Sequence, residues 1–240
     1  MNLSSLIKRR WIIIVILALM SVEPARLSAW IFSQQVLQAE SLAALVPSAQ
    51  AVKMQQSADL NGDGIPECLN LWSDQLQITN CAGTLLWQSP ENWQVKEAQI
   101  GDLNRDGKPE VILLVWRPFQ PWPIDKFLPS GGRISAFHDL DGKSCHIILI
   151  GWARDGYNEL WGGSALIRPV SQINVVDLDG DSRQELVTLE GLYDGENIGG
   201  QLTVWNWNGF GFTLADQSKN YFHKLKIIGT ATQKWILVQK

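Results

Sequence analysis

The sequence predicts an all-β protein built from repeated four-stranded antiparallel units. An acidic stretch followed by an apolar run recurs three times, as ADLNGDGIPECLNLW, GDLNRDGKPEVILLVW and VDLDGDSRQELVTLE. Each apolar run is short and rich in β-branched residues, which favours a strand over a helix. The composition agrees, because 20 glycines and 10 prolines in 240 residues suit many short strands joined by tight turns.

The N-terminal residues 1–29 predict a hydrophobic leader. A cationic segment, Lys8–Arg10, precedes the apolar run Trp11–Val22, and small residues follow at Ala25 and Ala29. This order is typical of a secretory signal peptide. An uncleaved N-terminal anchor is the alternative, because neither alanine sits in a clean A-x-A site. The sequence therefore predicts export to the periplasm or the extracellular space, with membrane attachment only through an uncleaved leader.

The rest of the chain predicts a linker followed by a repeat domain. Residues 30–49 are predicted as the linker, and a short amphipathic helix fits Gln35–Leu45. In residues 50–240 each unit is predicted as strand, acidic loop, strand and two-stranded hairpin. Two segments of the second unit, Arg117–Gly132 and Gly151–Pro169, are predicted as insertions. The units are 50–92, 93–169, 170–216 and a partial unit, 217–240.

Four-stranded units in tandem are typical of β-propeller blades, which repeat every ~40–50 residues. The first two acidic loops begin at Asp59 and Asp102, a spacing that suits one blade. The longer spacing to the third loop, at Asp177, is explained by the two insertions. About three and a half to four blades are therefore predicted.

The acidic loops carry the predicted metal chemistry. Counted from the first Asp, positions 1, 3 and 5 are Asp or Asn, so alternate side chains can converge on one cation. Such oxygen ligands suit Ca²⁺, to which position 7 would add its backbone carbonyl and the Glu at position 9 a further carboxylate. Up to three structural Ca²⁺ ions are expected. The predicted ligands are Asp59, Asn61, Asp63, Ile65 and Glu67; Asp102, Asn104, Asp106, Lys108 and Glu110; and Asp177, Asp179, Asp181, Arg183 and Glu185.

Two other interpretations of the loops are disfavoured. An EF-hand shares the first half of the pattern but ends with Glu at position 12 and is flanked by helices. Here position 12 is Asn, Leu or Thr, and the flanks are predicted strands. Asp, Asn and Gly also form plain surface turns, but three loops in register, each closed by Glu, favour metal sites. The third loop ranks last, because Ser182 replaces the Gly64 and Gly107 of its siblings and a left-handed non-glycine residue is costly. It stays a candidate, because it has four acids against three in each of the other loops, which would compensate.

The chain has three cysteines, Cys68, Cys81 and Cys145. If residues 68–72 and 76–80 form a hairpin, Cys68 and Cys81 fall near each other across it, which allows a disulfide. The alternative is three small buried side chains. Neither a CxxC pair nor a His/Cys spacing suggests zinc.

The loop sequences DLNGDGIPE, DLNRDGKPE and DLDGDSRQE resemble the FG-GAP/VCBS repeats of bacterial exported proteins and of integrin α-subunit propellers. The resemblance covers roughly residues 50–215. It implies a β-propeller in which structural Ca²⁺ loops join the first two strands of each blade, and mostly an adhesion or scaffold function. Propellers of this family usually have seven blades. A chain of about four blades either closes as a small propeller or remains an open arc that pairs with another copy, as a homodimer, or with a different partner.

Partner binding is predicted at the two insertions of the second unit. Their aromatic side chains would form a surface for a protein or a glycan, and the alternative is that the rings cap the core. The net charge of −4 gives no basic footprint for nucleic acid. The candidate partner-binding residues are Phe119, Trp122, Phe127, Trp152, Tyr157 and Trp161.

The sequence shows no catalytic constellation. The stretch WGGSAL around Ser164 lacks the second glycine of a nucleophile elbow. We therefore predict an exported binding or scaffold module rather than an enzyme. The alternative is an exported hydrolase or lyase that acts on saccharides or phosphoesters.

Overall fold

The computed structural model describes residues 26–42, 50–51, 56–121, 127, 137–193, 199–230 and 233–240. In these ranges the chain is built from β-strands, and no helix among them is long and apolar enough to cross a membrane. The strands are β1 (Leu27–Ser33), β2 (Val36–Glu40), β3 (Gln50–Ala51), β4 (Ser57–Ala58), β5 (Glu67–Trp72), β6 (Gln75–Asn80), β7 (Leu85–Gln88), β8 (Gln94–Gly101), β9 (Glu110–Pro118), β10 (Lys143–Ala153), β11 (Gly156–Gly162), β12 (Val170–Val176), β13 (Glu185–Glu190), β14 (Gly200–Trp207), β15 (Phe212–Phe222), β16 (Lys224–Gly229) and β17 (Lys234–Gln239).

The strands form four antiparallel sheets of four main strands each, as the sequence predicts for an all-β protein. The first sheet is β4–β7, the second β8–β11 and the third β12–β15, and in each of them every strand pairs with its neighbour in sequence. The fourth sheet has the order β2-β1-β17-β16, with the short β3 on its far edge. Its central pairing joins the two ends of the described chain, with Ala29 opposite Leu237.

The prediction of a linker and a helix in residues 30–49 is wrong over its described strands. Residues 27–40 form the hairpin β1–β2, turned by Gln34 and Gln35 in left-handed conformations with φ of 51° and 65°. Tertiary pairing overrides the helical pattern here, because β17 offers β1 a strand edge and Phe32 and Leu37 become buried. The hairpin also begins inside the predicted leader, whose residues 1–25 lie outside the described ranges.

The partial unit predicted at 217–240 supplies two strands of a complete sheet. β16 and β17 form the expected pair, and β1 and β2 provide the other two strands. The third sheet also ends later than the predicted boundary at 216, because β15 continues to Phe222. The missing half of the fourth unit therefore lies at the other end of the sequence, where no acidic loop marks it.

The prediction that Gly151–Pro169 is an insertion is wrong for most of that segment. Residues 151–153 complete β10, and β11 follows after a turn at Arg154 and Asp155, with φ of 53° and 65°. β10 is long because it pairs with β9 on one side and β11 on the other.

Buried apolar side chains fill the space between consecutive sheets, with one cluster at each of the three junctions from the first sheet to the fourth. Strands β8, β12 and β16 of the second, third and fourth sheets lie side by side. The Gln99 side chain on β8 donates to the Ile173 carbonyl and accepts from the Val175 N–H, at 2.6 and 2.8 Å. Gln172 on β12 accepts from the Leu225 N–H on β16 at 2.7 Å. The three acidic loops begin at the same end of the array, because Ala58, just before the first loop, lines one cavity together with Asp102 and Asp177.

Candidate metal centres

The three acidic loops share one hydrogen-bonded frame. The Leu at position 2 is buried, and its N–H donates to the carboxylate of the buried Glu at position 9 over 2.8–2.9 Å. This bond ties the start of each loop to the strand that follows it. The pairs are Leu60 with Glu67, Leu103 with Glu110, and Leu178 with Glu185.

The side chains at positions 1, 3 and 5 also accept backbone N–H bonds in every loop. Position 1 accepts from position 6 over 2.8–3.0 Å. Position 3 accepts from position 5, and position 5 accepts from position 7, whose residues are Ile65, Lys108 and Arg183. The metal-binding role of the position-7 carbonyls stays a prediction. The pattern of Asp and Asn at alternate positions thus fixes the loop conformation as well as supplying oxygens.

Two positions of each loop need a left-handed backbone. Position 6 was expected to need it, and Ser182 adopts φ of 68° where its siblings are glycines. Position 4 needs it as well, and there the second loop carries Arg105 with φ of 65° while the other loops carry glycine. Such a conformation is strained for a residue with a Cβ atom. The loops therefore adopt the same backbone conformation even where a non-glycine residue, Arg105 or Ser182, is strained by it.

The second loop forms a compact acidic cluster. One carboxylate oxygen each from Asp102, Asp106 and Glu110 lie within 4.8 Å of one another. Glu110 is 1% exposed, and its Oε2 atom has no hydrogen-bond partner in the described part of the chain. Burial, together with the charges of Asp102 and Asp106, raises the pKa of Glu110 to about 8. A divalent cation would neutralise the cluster and give the orphaned oxygen a partner, so these residues fit a metal ion.

The third loop forms the other cluster. Carboxylate oxygens of Asp177, Asp179 and Glu185 lie within 4.8 Å of one another, whereas Asp181 stands outside the group. Burial and the three neighbouring Asp charges raise the pKa of Glu185 to about 7. The sequence ranks this loop as the weakest of the three metal-site candidates, but its carboxylates are grouped as closely as those of the second loop. Asp179 supplies a carboxylate at position 3, where the other loops have an amide.

The first loop does not group three carboxylates in this way within the described residues. The Asn61 amide donates to Glu67 at 2.7 Å and to Asp63 at 3.1 Å, so it occupies oxygens that would face a cation. Tyr157 of the second sheet lies near Glu67, whose charge adds to burial in raising the pKa of the Tyr157 phenol. Metal binding by Asp59 and the other predicted ligands of this loop stays a prediction.

A disulfide joins Cys68 to Cys81 beside the first loop, which decides between the two sequence alternatives. Cys145 is buried and free, and burial raises its thiol pKa to about 12. Disulfides persist in oxidising compartments outside the cytoplasm. The bond therefore points to an extracytoplasmic environment for this chain.

Gln184 connects the second and third loops, a role that no sequence motif indicates. Its Oε1 atom accepts the Asp102 N–H at 2.8 Å, across the junction between the two sheets. A cavity of about 370 Å³ lies here, lined by Gln184, Asp102, Asp177 and Ala58 from three sheets. The starts of the second and third acidic loops thus border one space.

The predicted partner-binding aromatics lie in different surroundings. Trp152 and the buried Tyr157 contact each other edge-to-face at 5.2 Å. Trp161 packs edge-to-face on Trp207 and Phe212 of the third sheet. Phe119 contacts His138, Phe127 is 76% exposed, and Trp122 lies outside the described residues. Tyr157 and Trp161 therefore agree with the alternative in which rings cap the core, and partner binding by the set stays a prediction.

Comparison with known proteins does not place the chain in a family. No family model matches it, and no curated protein sequence matches it at a significant level. The case for its function therefore depends on the loops, the sheets and their surroundings.

Proposed function

We propose that this chain is an exported, Ca²⁺-stabilised β-propeller of four blades, with loops of FG-GAP/VCBS type, that acts as a binding or scaffold module. The observation that carries the proposal is the second loop. There three carboxylates converge around a buried Glu110 oxygen that has no partner. Such an arrangement is costly without a counter-ion and favourable with one.

The sheet order supports the propeller. Strands β8, β12 and β16 connect the second, third and fourth sheets, and each sheet has four main antiparallel strands, as a blade does. The fourth sheet combines β16 and β17 with β1 and β2. The Leu37 N–H on β2 also donates to Asp216 of the third sheet at 2.7 Å. Because strands from both ends of the described chain share the fourth sheet, we propose that a single chain closes the propeller without a second copy.

The donor chemistry supports Ca²⁺ as the ion. The second and third loops offer carboxylate and carbonyl oxygens and no thiol or imidazole. Ca²⁺ accepts six to eight oxygens in flexible geometry, whereas Mg²⁺ demands a near-ideal octahedron and loses its water reluctantly. The role proposed for the ion is structural, because the clusters sit where a loop enters a buried strand.

A binding function fits the described residues better than catalysis. Ser144 Oγ lies 2.7 Å from His146 Nε2, but Ser144 is completely buried and cannot reach a substrate. No observation in the described ranges favours the hydrolase or lyase alternative. We propose a protein or glycan as the partner, not a nucleic acid. Export is supported by the Cys68–Cys81 disulfide and by the predicted leader.

Thermal melting of the full chain in Ca²⁺ and in EGTA tests the proposal, run together with a Ca²⁺ titration and the mass in solution. We expect EGTA to lower the melting temperature, Ca²⁺ to restore it, and Mg²⁺ at equal concentration to restore less. At a free concentration 1,000 times Kd, one ion contributes about 4 kcal/mol to the free energy of unfolding. An unchanged melting temperature would refute the calcium assignment. A monomer mass supports closure within one chain, whereas a dimer mass would support two arcs completing each other.

A further inference from the structure

A second cavity lies at the end of the second sheet opposite its acidic loop. It has a volume of about 370 Å³, and its lining includes Asn92, Trp93, Arg117, Gln120 and His146. Arg117 stands near the end of β9, and the loop meets the start of the same strand. At ~3.3 Å per residue the two ends are roughly 20 Å apart. The cavity is therefore separate from the metal clusters.

The Arg117 side chain lines this cavity, and among the described side chains its guanidinium lies within hydrogen-bond distance of His146 alone, at 3.5 Å. It is half-buried and lies 5.6 Å from the centre of the Trp93 ring, a cation–π contact. Within the described residues no carboxylate stands within 4.0 Å of it. Burial lowers the pKa of Arg117, and the charge of Glu159 offsets this in part. A guanidinium carries five N–H donors, so among the described residues the cavity presents a cation that has no ion pair and has donors left for a ligand.

His146 cannot act as the missing acceptor. Its Nδ1 atom lies 3.5 Å from Arg117 but only 2.8 Å from the Gly163 carbonyl, which requires a proton on Nδ1. Its Nε2 atom then accepts from the Ser144 hydroxyl at 2.7 Å. Both ring nitrogens are therefore committed, and neither offers Arg117 a lone pair.

The chemistry of the cavity selects a carboxylate. A planar guanidinium fork matches a carboxylate through two parallel N–H···O bonds. Arg117 is the one cation among the described lining residues, and the Glu159 carboxylate lies against the lining residue Gly162. A single positive charge beside an acid suits a monoanion better than a doubly charged phosphate or sulfate. The amides of Asn92 and Gln120 can bond the hydroxyl groups of the same ligand.

We propose that this cavity binds the carboxylate of a small hydroxylated acid, either a free acid or a uronic acid unit of a glycan. Arg117 holds the carboxylate, Trp93 holds Arg117, and the amides select the hydroxyl groups. The inference rests on the proposed binding function and gives it a ligand chemistry. The carboxylate site does not require the metal clusters, so an experiment can contradict the carboxylate site and leave the Ca²⁺ sites supported, or the reverse.

Isothermal titration of the Ca²⁺-loaded full chain tests the site, with galacturonate and galactose as a pair that differs in the carboxylate. We expect galacturonate to bind at least tenfold more tightly than galactose, because a charge-assisted hydrogen bond contributes about 1.5–3 kcal/mol. Arg117→Gln should remove that difference. Equal binding of the two sugars, no binding of galacturonate, or tighter binding of sulfate would each overturn the proposal.

Glu159→Gln provides a second variant at an exposed site, where folding is not at risk. Removing this negative charge should tighten galacturonate binding severalfold and leave galactose binding unchanged. Loss of binding in this variant would contradict the role given to Arg117. Trigalacturonate separates the two sources, because tighter binding than the monomer indicates a glycan unit and equal binding indicates a free acid. An unchanged Ca²⁺-dependent melting shift in both variants shows that the fold and the metal sites remain intact.

Discussion

The first and second acidic loops have nearly the same sequence but are held together differently. In the second loop three carboxylates converge within 4.8 Å, and one Glu110 oxygen is left without a partner. In the first loop the Asn61 amide donates a hydrogen bond to Glu67, and the next residue, Cys68, forms a disulfide with Cys81. A repeated motif therefore fixes the course of the backbone, whereas its surroundings decide which cross-link stabilises it. The first sheet has a covalent link beside its loop, and the second and third sheets have sites for an ion.

The largest effect should come from exchanging the glutamates that close these two loops. Glu110→Gln removes a ligand from the second cluster, so in saturating Ca²⁺ the variant should lose up to about 4 kcal/mol of unfolding free energy. In EGTA the same variant should be at least as stable as the parent chain, because it removes a buried negative charge whose Oε2 atom lacks a partner among the described residues. Chemical denaturation with and without Ca²⁺ measures both effects.

Glu67→Gln is the matched control, at the same position of the first loop. Glu67 already has the Asn61 amide as its partner, so the Ca²⁺-dependent part of the stability should change little. Equal losses in the two variants would show that the loops bind metal alike, and the contrast between them would then be wrong.

The disulfide should account for the next largest effect. Replacing Cys68 and Cys81 together by Ala removes a cross-link between residues 13 apart in sequence, which should cost about 3 kcal/mol. The loss should be the same in Ca²⁺ and in EGTA, because the link and the ions act on different sheets and distant effects add. The Cys145→Ala variant controls for loss of a buried thiol. A cost that vanishes in EGTA would instead couple the disulfide to metal binding.

The sequence predicted the parts of the fold that depend on local chemistry. Alternating Asp and Asn oxygens accept neighbouring N–H groups, so the loops could be recognised from their spacing alone. The strands that follow them are apolar and β-branched, as buried strands are. The hairpin of β1 and β2 could not be predicted, because its partner β17 lies about 200 residues away in sequence.

The candidate sites also divide into features that local sequence predicts and features that depend on long-range packing. The third loop ranks last in the sequence because of the backbone cost of Ser182, although its extra acid offers compensation. The third cluster includes that acid, Asp179. The cavity at Arg117 draws on residues from β9, β10 and the segment before β8. No short sequence motif identifies this set, because its residues are far apart in the sequence and come together only in the folded sheet. The sequence pointed to the segment that begins at Arg117, but not to this chemistry.

Acid should weaken the end of the second sheet that lies opposite its metal cluster. Burial lowers the pKa of His146 to about 4 from an ordinary 6.5, so the folded chain binds this proton later than the unfolded chain. The stabilising effect is complete above pH 6.5 and is lost as the pH falls towards 4. At pH 5 the loss should be about 2 kcal/mol. Unfolding in EGTA between pH 7 and 5, compared with His146→Gln, isolates this contribution, and parallel pH profiles for the two chains would contradict it.

The smallest effect concerns backbone strain in the third loop. Ser182 adopts φ of 68° where the other loops have glycine, so Ser182→Gly should raise the unfolding free energy by about 1 kcal/mol. The reverse change, Gly107→Ala, should lower it similarly, and no atom lies within 4 Å of the new Cβ position, so a clash would not explain the loss. The Ser182 N–H bond to Asp177 is kept in the glycine variant, so Ca²⁺ stoichiometry should not change. A loss of stability in Ser182→Gly would mean that the hydroxyl, which borders the cavity shared with the second loop, contributes more than the strain costs.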